Sequence, residues 1–385
     1  MPKIIHQGKV SVISWAGDID EGTLKQATRL ADLSFAFKHI ALMPDCHSGY
    51  GMPIGGVLAT KNIVIPNAVG VDIGCGMVAV KTSLKELSQK NLHGIIKEIK
   101  TRIPVGFNKH DSPKDVSLLP QLEKNLPIAN QELEIARYQI GTLGGGNHFI
   151  EIQKGNDGHI WFMIHSGSRR LGYQVAKHYN NEAVELNKYT DPYVPKNYQL
   201  AYLPTEYHQA KDYLQEMQYC IDYAFANRKE MSRQVKISIQ KYIKADFFPP
   251  INIAHNYAAK EKHFEEEVIV HRKGATSARK GEKGIIPGSQ GTKSYIVEGK
   301  GNPESFMSCS HGAGRKLSRT AAKKKLDLKS EIKKMNERGI LHGITKNKHL
   351  DEAPSAYKNI DTVMKNQEDL VSILVELQPL AVIKG

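Results

Sequence analysis

Val69-Gly70-Val71-Asp72-Ile73-Gly74-Cys75-Gly76 lies between two apolar, β-branched runs, residues 55–65 and 77–82. Both runs read as strands. A loop with three glycines can turn a carboxylate and a thiol toward one point. Alone, such a pair is more often a buried cysteine beside an Asx turn. Three histidines change the balance. His148 follows Gly144-Gly145-Gly146-Asn147, His165 ends the apolar run 160–164, and His255 ends the run 251–254. Strand ends are natural places for ligands. Candidate residues run from Asp72 to Lys384 with no clean linker between them, which predicts one interwoven α+β domain over residues 1–385.

Outward from this loop, the first 85 residues read as short strands joined by glycine-rich turns. Residues 84–103 turn helical, with Leu87, Leu92, Ile95, Ile96 and Ile99 on one side. Residues 108–127 read as a surface loop, 149–152 and 160–164 as paired strands, and 169–188 as a helix. The longest helical pattern is 206–243; strands are expected at 268–271 and 295–298, with a basic, glycine-rich segment at 272–292. Residues 315–338 read as one strongly basic helix, and the apolar carboxyl-terminal segment ends in a strand-like 380–383.

The chain has 385 residues, 40% of them hydrophobic, and can bury a sizeable core. A net charge of +13 suggests a polyanionic partner, most simply nucleic acid. Cys46, Cys75, Cys220 and Cys309 show no disulfide framework and no CxxC pair, which favours a reducing compartment. No apolar run reaches membrane-spanning length and no signal segment is recognised, so a cytoplasmic protein is expected.

Asp72, Cys75, His148, His165 and His255 suffice for two metal ions if the thiolate bridges. Their mixed hardness suits Mn, Co, Zn or Fe(II), and spacing alone also allows a single Zn. Ser310-His311-Gly312-Ala313-Gly314-Arg315 reads as a turn into the basic helix. Gly312 and Gly314 would present backbone N–H groups near a helix amino terminus, and Arg315 adds a guanidinium for phosphate. His311 has three open roles: fourth metal ligand, general base, or nucleophile forming a phosphoramidate. Pro287-Gly288-Ser289-Gln290-Gly291 with Ser294 suits nucleotide contacts, although such a loop alone is more often an ordinary turn. Neither loop matches a P-loop or GxGxxG spacing. Arg272-Lys273-Gly274-Ala275-Thr276 is a further phosphate candidate, and Lys384 is either frayed or delivered to the site by the preceding apolar strand. Cys46, Cys220 and Cys309 are expected in packing, and His159, His208 and His263 at the surface.

At these residues the chain resembles the RtcB family of RNA-splicing ligases, over nearly its whole length. The resemblance runs through Met43-Pro44-Asp45 with His47, the loop of Asp72 and Cys75, and Gly144-Gly145-Gly146-Asn147-His148-Phe149-Ile150-Glu151. It continues through His165-Ser166-Gly167-Ser168-Arg169, Ala226-Asn227-Arg228, His255-Asn256, His271-Arg272-Lys273-Gly274, Pro287-Gly288-Ser289, the His311 motif, Asp351-Glu352-Ala353-Pro354 and Lys384-Gly385. Each motif is weak; their order is specific. The resemblance implies an RtcB-like fold, with central sheets flanked by helices and a dinuclear metal site in a cleft. It implies a GTP-dependent ligase with two Mn(II) ions, joining an RNA 3′-phosphate or 2′,3′-cyclic phosphate to a 5′-hydroxyl in tRNA splicing or RNA repair. Asp72, Cys75 and His148 would hold one ion; Cys75, His165 and His255 the other. His311 would carry GMP. Asn147, Glu151, Asn256, Pro287, Gly288, Ser289, Gln290, Ser294, Gly312, Ala313, Gly314 and Lys384 would position the nucleotide, with His148 and His255 beside it. Arg169 would meet an RNA phosphate. Tyr50 and Asn359 depart from the family's usual lysine and aspartate, and with the short chain point to a compact bacterial branch that repairs RNA. An activating or repair-pathway protein partner is left open. The competing readings are a metal-dependent phosphodiesterase or nucleotide hydrolase, and a non-catalytic RNA-binding member.

Overall fold

The computed structural model describes residues 2–123, 125–190 and 192–385. Among these residues the chain builds two large sheets from strands far apart in sequence. The first runs in the order Lys3–Gln7, Ser11–Ser14, Ala36–His47, Ile54–Thr60, Glu266–Lys273, Asn256–His263. The second runs Ile251–Ala254, Gly76–Lys81, Ile160–Ser166, Phe149–Gly155, Val371–Lys384, Ser294–Gly299, Lys283–Ile286. Both draw strands from the two halves of the sequence, the interwoven α+β arrangement the dispersed motifs predict.

The second sheet is buried on both faces because its strands alternate with period two between two apolar layers. Val78, Val80, Ile150, Ile152, Phe162 and Ile164 face the helix Gln89–Arg102 and the long helix His208–Gln240. Met77, Ala79, Trp161, Met163 and Val382 face the opposite layer. Register then decides the chemistry. Gly76 pairs with Ala254 and with Ser166, Phe149 pairs with His165, and Lys384 pairs with Phe149. Cys75, His148, His165, His255 and Lys384 are thereby delivered to the same end of one sheet.

The long helix packs against Arg169–Leu186 and Pro127–Gln139 and carries two buried polar residues into the sheet end. Asn227 accepts from Gly141 N and Thr142 N and donates to the Gly167 carbonyl at 3.1 Å. Arg228 donates to the carbonyls of Gly74 and Ser166, each at 2.9 Å. These bonds fix the loops around Cys75, His148 and His165.

Several expectations need correction. The first 85 residues include a helix, Glu21–Ala31, capped by Asp20, whose carboxylate accepts from Thr23 N at 3.0 Å. The run 55–65 is strand as expected, in two pieces, but a helical turn, Pro66–Val69, separates it from the Asp72 loop. The basic region 315–338 is two short helices, Arg319–Lys325 and Leu328–Glu337. Ser318 and Asp327 cap them, and a residue that bonds its own backbone two or three positions on starts a new helix instead of continuing the old one. Gly312 and Gly314 therefore lie in an irregular loop ahead of any helix. His263 is buried against Glu261 at 2.9 Å, not at the surface. Arg272 and Lys273 do not face a phosphate: Arg272 pairs with Glu261, and Lys273 donates to the carbonyls of Tyr50 and Asn67. The other three cysteines are buried as expected. Among the described residues, no helix is long and apolar enough to cross a membrane.

His271 shows how tightly the first sheet is specified. Its Nε2 accepts from Ile65 N at 2.9 Å while Nδ1 faces the Leu58 carbonyl at 3.2 Å, which locks one neutral tautomer. Burial pulls its pKa from 6.5 to about 4. Between these values the unfolded chain holds more protons than the folded one, so stability falls as pH drops through that window. The thermal midpoint is expected to decline from pH 6.5 toward pH 4. A His271→Gln variant, less stable at neutral pH, should show a shallower decline; an unchanged slope would assign the acid sensitivity elsewhere.

Candidate active site

Five side-chain atoms converge where the second sheet ends. Cys75 Sγ lies 3.4 Å from His148 Nε2 and 3.2 Å from His165 Nε2. His165 Nε2 lies 3.3 Å from His255 Nε2, and Asp72 Oδ2 lies 3.1 Å from His148 Nε2. His165 Nδ1 is turned to the Asn147 carbonyl at 3.2 Å, which sets its tautomer and leaves the Nε2 lone pair facing inward. Burial, reinforced by neighbouring cationic groups, holds His165 and His255 well below the usual histidine range, so both are neutral. Burial and then the Asp72 carboxylate push the Cys75 thiol well above its ordinary value. Donor atoms crowded this closely must share protons or, once these are lost, a cation. The donor set of one carboxylate, one sulfur and three imidazoles fits borderline divalent ions.

Gly144 makes the packing possible. Its φ is +90°, and a Cβ there would lie 2.1 Å from Arg169 Nη1 and 2.5 Å from His148 Nδ1. Arg169 is thereby held against the metal-site wall, with Nε on Thr142 Oγ1 at 3.1 Å and Nη2 on the Gly106 carbonyl at 3.2 Å.

Beside this cluster opens a cleft of about 500 Å³, in the range of small-molecule sites. His311 follows the strand Ser308–Ser310 and stands at the cleft's inner end, its ring 4.9 Å from that of His255, centroid to centroid. Asn147, Glu151, Pro287, Gly288, Ser289, Gln290, Gly312, Ala313, Gly314 and Lys384 all line the cleft. Asn256 and Ser294 lie behind its wall. Asn256 bridges Asp72 O and Gly274 N, and Ser294 Oγ accepts from Gly288 N at 3.1 Å. Burial raises the pKa of Glu151 to about 8, opposed by Lys384. Glu352, on the short turn Asn347–Glu352, gathers Arg315, Arg319 and Lys384 around one carboxylate at the cleft edge.

Asp45, part of the Met43-Pro44-Asp45 motif, has a clear part here that the motif alone does not signal. Asp45, fully buried at the end of the strand Ala36–His47, places Oδ2 2.7 Å from His311 Nδ1 and also accepts from the backbone of His311 and Gly312. Burial alone would raise its pKa, but the His311 charge and hydrogen bonds hold it lowered, so it is a carboxylate. A proton fixed on Nδ1 by Asp45 leaves Nε2 as the free lone pair. The available signal was an acid inside a long apolar strand. Asp45→Asn is expected to slow any reaction of the His311 ring by roughly 10- to 100-fold, the usual cost of losing an orienting carboxylate, while metal uptake stays unchanged. A normal rate would show that the ring needs no such orientation. His47 sits beside this pair, lines the cleft and is pulled by burial to about pKa 4.

The sequence model of the family described as tRNA-splicing ligase RtcB matches residues 26–127 and 120–385. The chain belongs to the RtcB family. An RtcB protein of Escherichia coli K12, named RNA-splicing ligase RtcB, is 39% identical over 95% of each chain. The tRNA-splicing ligase RtcB of Nanoarchaeum equitans is 32% identical over 95% of this chain and 92% of its own. An RtcB homologue of Entamoeba dispar is 31% identical over 94% and 83%. The RtcB relatives thus span bacteria, archaea and eukaryotes at nearly full length.

Proposed function

We propose that the chain is an RNA ligase that joins an RNA 3′-phosphate, or a 2′,3′-cyclic phosphate after its opening, to a 5′-hydroxyl at the expense of GTP. Full-length likeness to proteins named RNA-splicing and tRNA-splicing ligases supports the RNA substrate class and the reaction type. The single structural observation that carries the chemistry is the juxtaposition of His311, oriented by Asp45, with the Cys75–His148–His165 cluster and an adjoining cleft.

His311 Nε2 attacks the α-phosphorus of GTP. A P–N bond forms, pyrophosphate leaves, and Asp45 keeps the imidazolium charge compensated through Nδ1–H. An oxygen of the RNA 3′-phosphate then takes the guanylyl group from nitrogen. The product is a mixed diphosphate whose leaving group is GMP, where a bare 3′-phosphate has only a poor leaving oxygen. The 5′-hydroxyl attacks the RNA phosphorus, the phosphodiester forms and GMP departs. Two manganese ions, one at Asp72, Cys75 and His148 and one at Cys75, His165 and His255, would supply the positive charge that lets these anions approach. Glu151, Lys384 and the loops at 287–290 and 312–314 shape the purine and ribose end of the cleft, with Asn256 and Ser294 bracing those walls. Arg169 faces an RNA phosphate.

The test uses a 3′-phosphorylated and a 5′-hydroxyl RNA with GTP and Mn(II). A joined product that requires both end groups is expected. Release of inorganic phosphate from the RNA end without joining would point to a hydrolase instead, and RNA binding without turnover to a non-catalytic protein.

A further inference from the structure

Phe107 is held fully in water beside the active site: its relative exposure is 104%, the highest among the described exposed large hydrophobic residues. A single exposed apolar residue is ordinary on a protein surface and by its exposure alone means nothing; what sets this one apart is where its loop is tied. This loop is fastened on both sides. Leu143 N donates to the Pro104 carbonyl at 3.0 Å, Gly106 N to the Gly144 carbonyl at 2.9 Å, and His110 N to the Tyr138 carbonyl at 3.0 Å. The ring therefore has a fixed base and no partner face. Its neighbour Gly106 packs against the metal-site glycines, since a Cβ on Gly145 would lie 3.7 Å from Gly106 Cα. The Gly106 carbonyl also takes the Arg169 guanidinium, which touches the same glycine as His148. Basic side chains lie on the same stretch of surface. Lys109 is two positions along the chain, its Nζ 4.6 Å from the Tyr138 ring centroid, and Arg319 reaches within 2.8 Å of a Cβ built on Gly146, two residues from the glycine that Arg169 packs on.

A solvent-facing aromatic on a pinned loop near basic side chains is what single-stranded nucleic acid binds by base stacking, with the cations taking the phosphates. We propose that Phe107 is the stacking platform for one base of the RNA strand whose phosphate meets Arg169, on the loop that packs against Gly144 and Gly145. This deepens the ligase reading and rests on it for the identity of the strand.

The test is equilibrium binding of a fluorescent, single-stranded 3′-phosphorylated RNA to the full chain, alongside ligation by the same preparations. Phe107→Ala is expected to weaken binding about tenfold, as loss of one stacked base does, and Phe107→Trp to restore it. RNAs with one abasic nucleotide at successive positions from the 3′ end should show one position where the wild type loses affinity and Phe107→Ala loses no more. Unchanged affinity in Phe107→Ala, or losses that simply add at every position, would overturn the platform. So would intact RNA binding with loss of a protein partner instead. Because binding is read separately from joining, a wild type that binds in this pattern but joins nothing would sink the ligase reading and leave the platform standing.

Discussion

Replacing His311 by alanine is expected to abolish covalent transfer of label from α-labelled GTP to the protein and to lower RNA joining by at least roughly a thousandfold, the scale of losing a nucleophile. Three roles were open to this imidazole from the sequence. The geometry separates them by what each would leave behind. Nδ1 is committed to Asp45 at 2.7 Å, so only Nε2 remains for chemistry. The convergent group that could hold a metal ion is made by Cys75, His148 and His165 without it. A nucleophile's removal should therefore leave metal stoichiometry at the wild-type value while the acid-labile adduct vanishes. A fall in bound metal would make His311 a ligand. A surviving adduct, mapped to another residue by peptide mass, would make it a base. Folding is not at stake in the comparison, because His311 Nδ1 and the backbone of His311 and Gly312 share Asp45 Oδ2, and the backbone bonds remain in the variant.

What was legible in the sequence was the set of chemical groups, because glycine-rich loops and polar residues at the ends of apolar runs survive as local patterns. Cys75, His148, His165 and His255 could be named from their neighbours alone. What could not be read was the pairing that brings them together. Phe149 opposite His165, and Gly76 opposite both Ser166 and Ala254, are nonlocal registers that no window of sequence contains. The role of Asp45 was hidden for the same reason: its partner lies 266 positions away. The basic stretch 315–338 reads as one helix because periodicity and charge continue across Leu326-Asp327, whereas the break is made by a single capping carboxylate accepting from Ser330 N at 2.8 Å. The carboxyl-terminal strand was read only at its last residues. Its full span, Val371–Lys384, lies inside the second sheet between Phe149–Gly155 and Ser294–Gly299, and without that position Lys384 could not be told from a frayed end.

Cys75→Ser carries the second large effect. Its sulfur stands 3.4 Å from one imidazole nitrogen and 3.2 Å from another, while Asp72 closes on His148 and His255 closes on His165. In the proposed two-ion arrangement the sulfur would be the one ligand atom shared by both half-sites. A serine hydroxyl is too weak an acid to supply the missing negative charge, and it is a harder, shorter donor. Both metal affinities are therefore expected to fall by at least about a hundredfold, the upper range even for a second-shell change, and joining to fall with them. Losing a terminal ligand would weaken one ion and spare the other. The measurement is metal content after gel filtration, together with titration of Mn(II) into the apo protein. Two equivalents in the wild type and none retained in Cys75→Ser is the outcome for a bridge; one tightly held equivalent in the variant refutes it. The metal-free variant should melt close to the metal-free wild type, since the side chains differ little in volume and Arg228 still binds the Gly74 and Ser166 carbonyls. A large drop in that melting point would mean that the substitution had disturbed the sheet end itself, in which case retained binding of one ion in Cys75→Ala decides between bridge and terminal ligand.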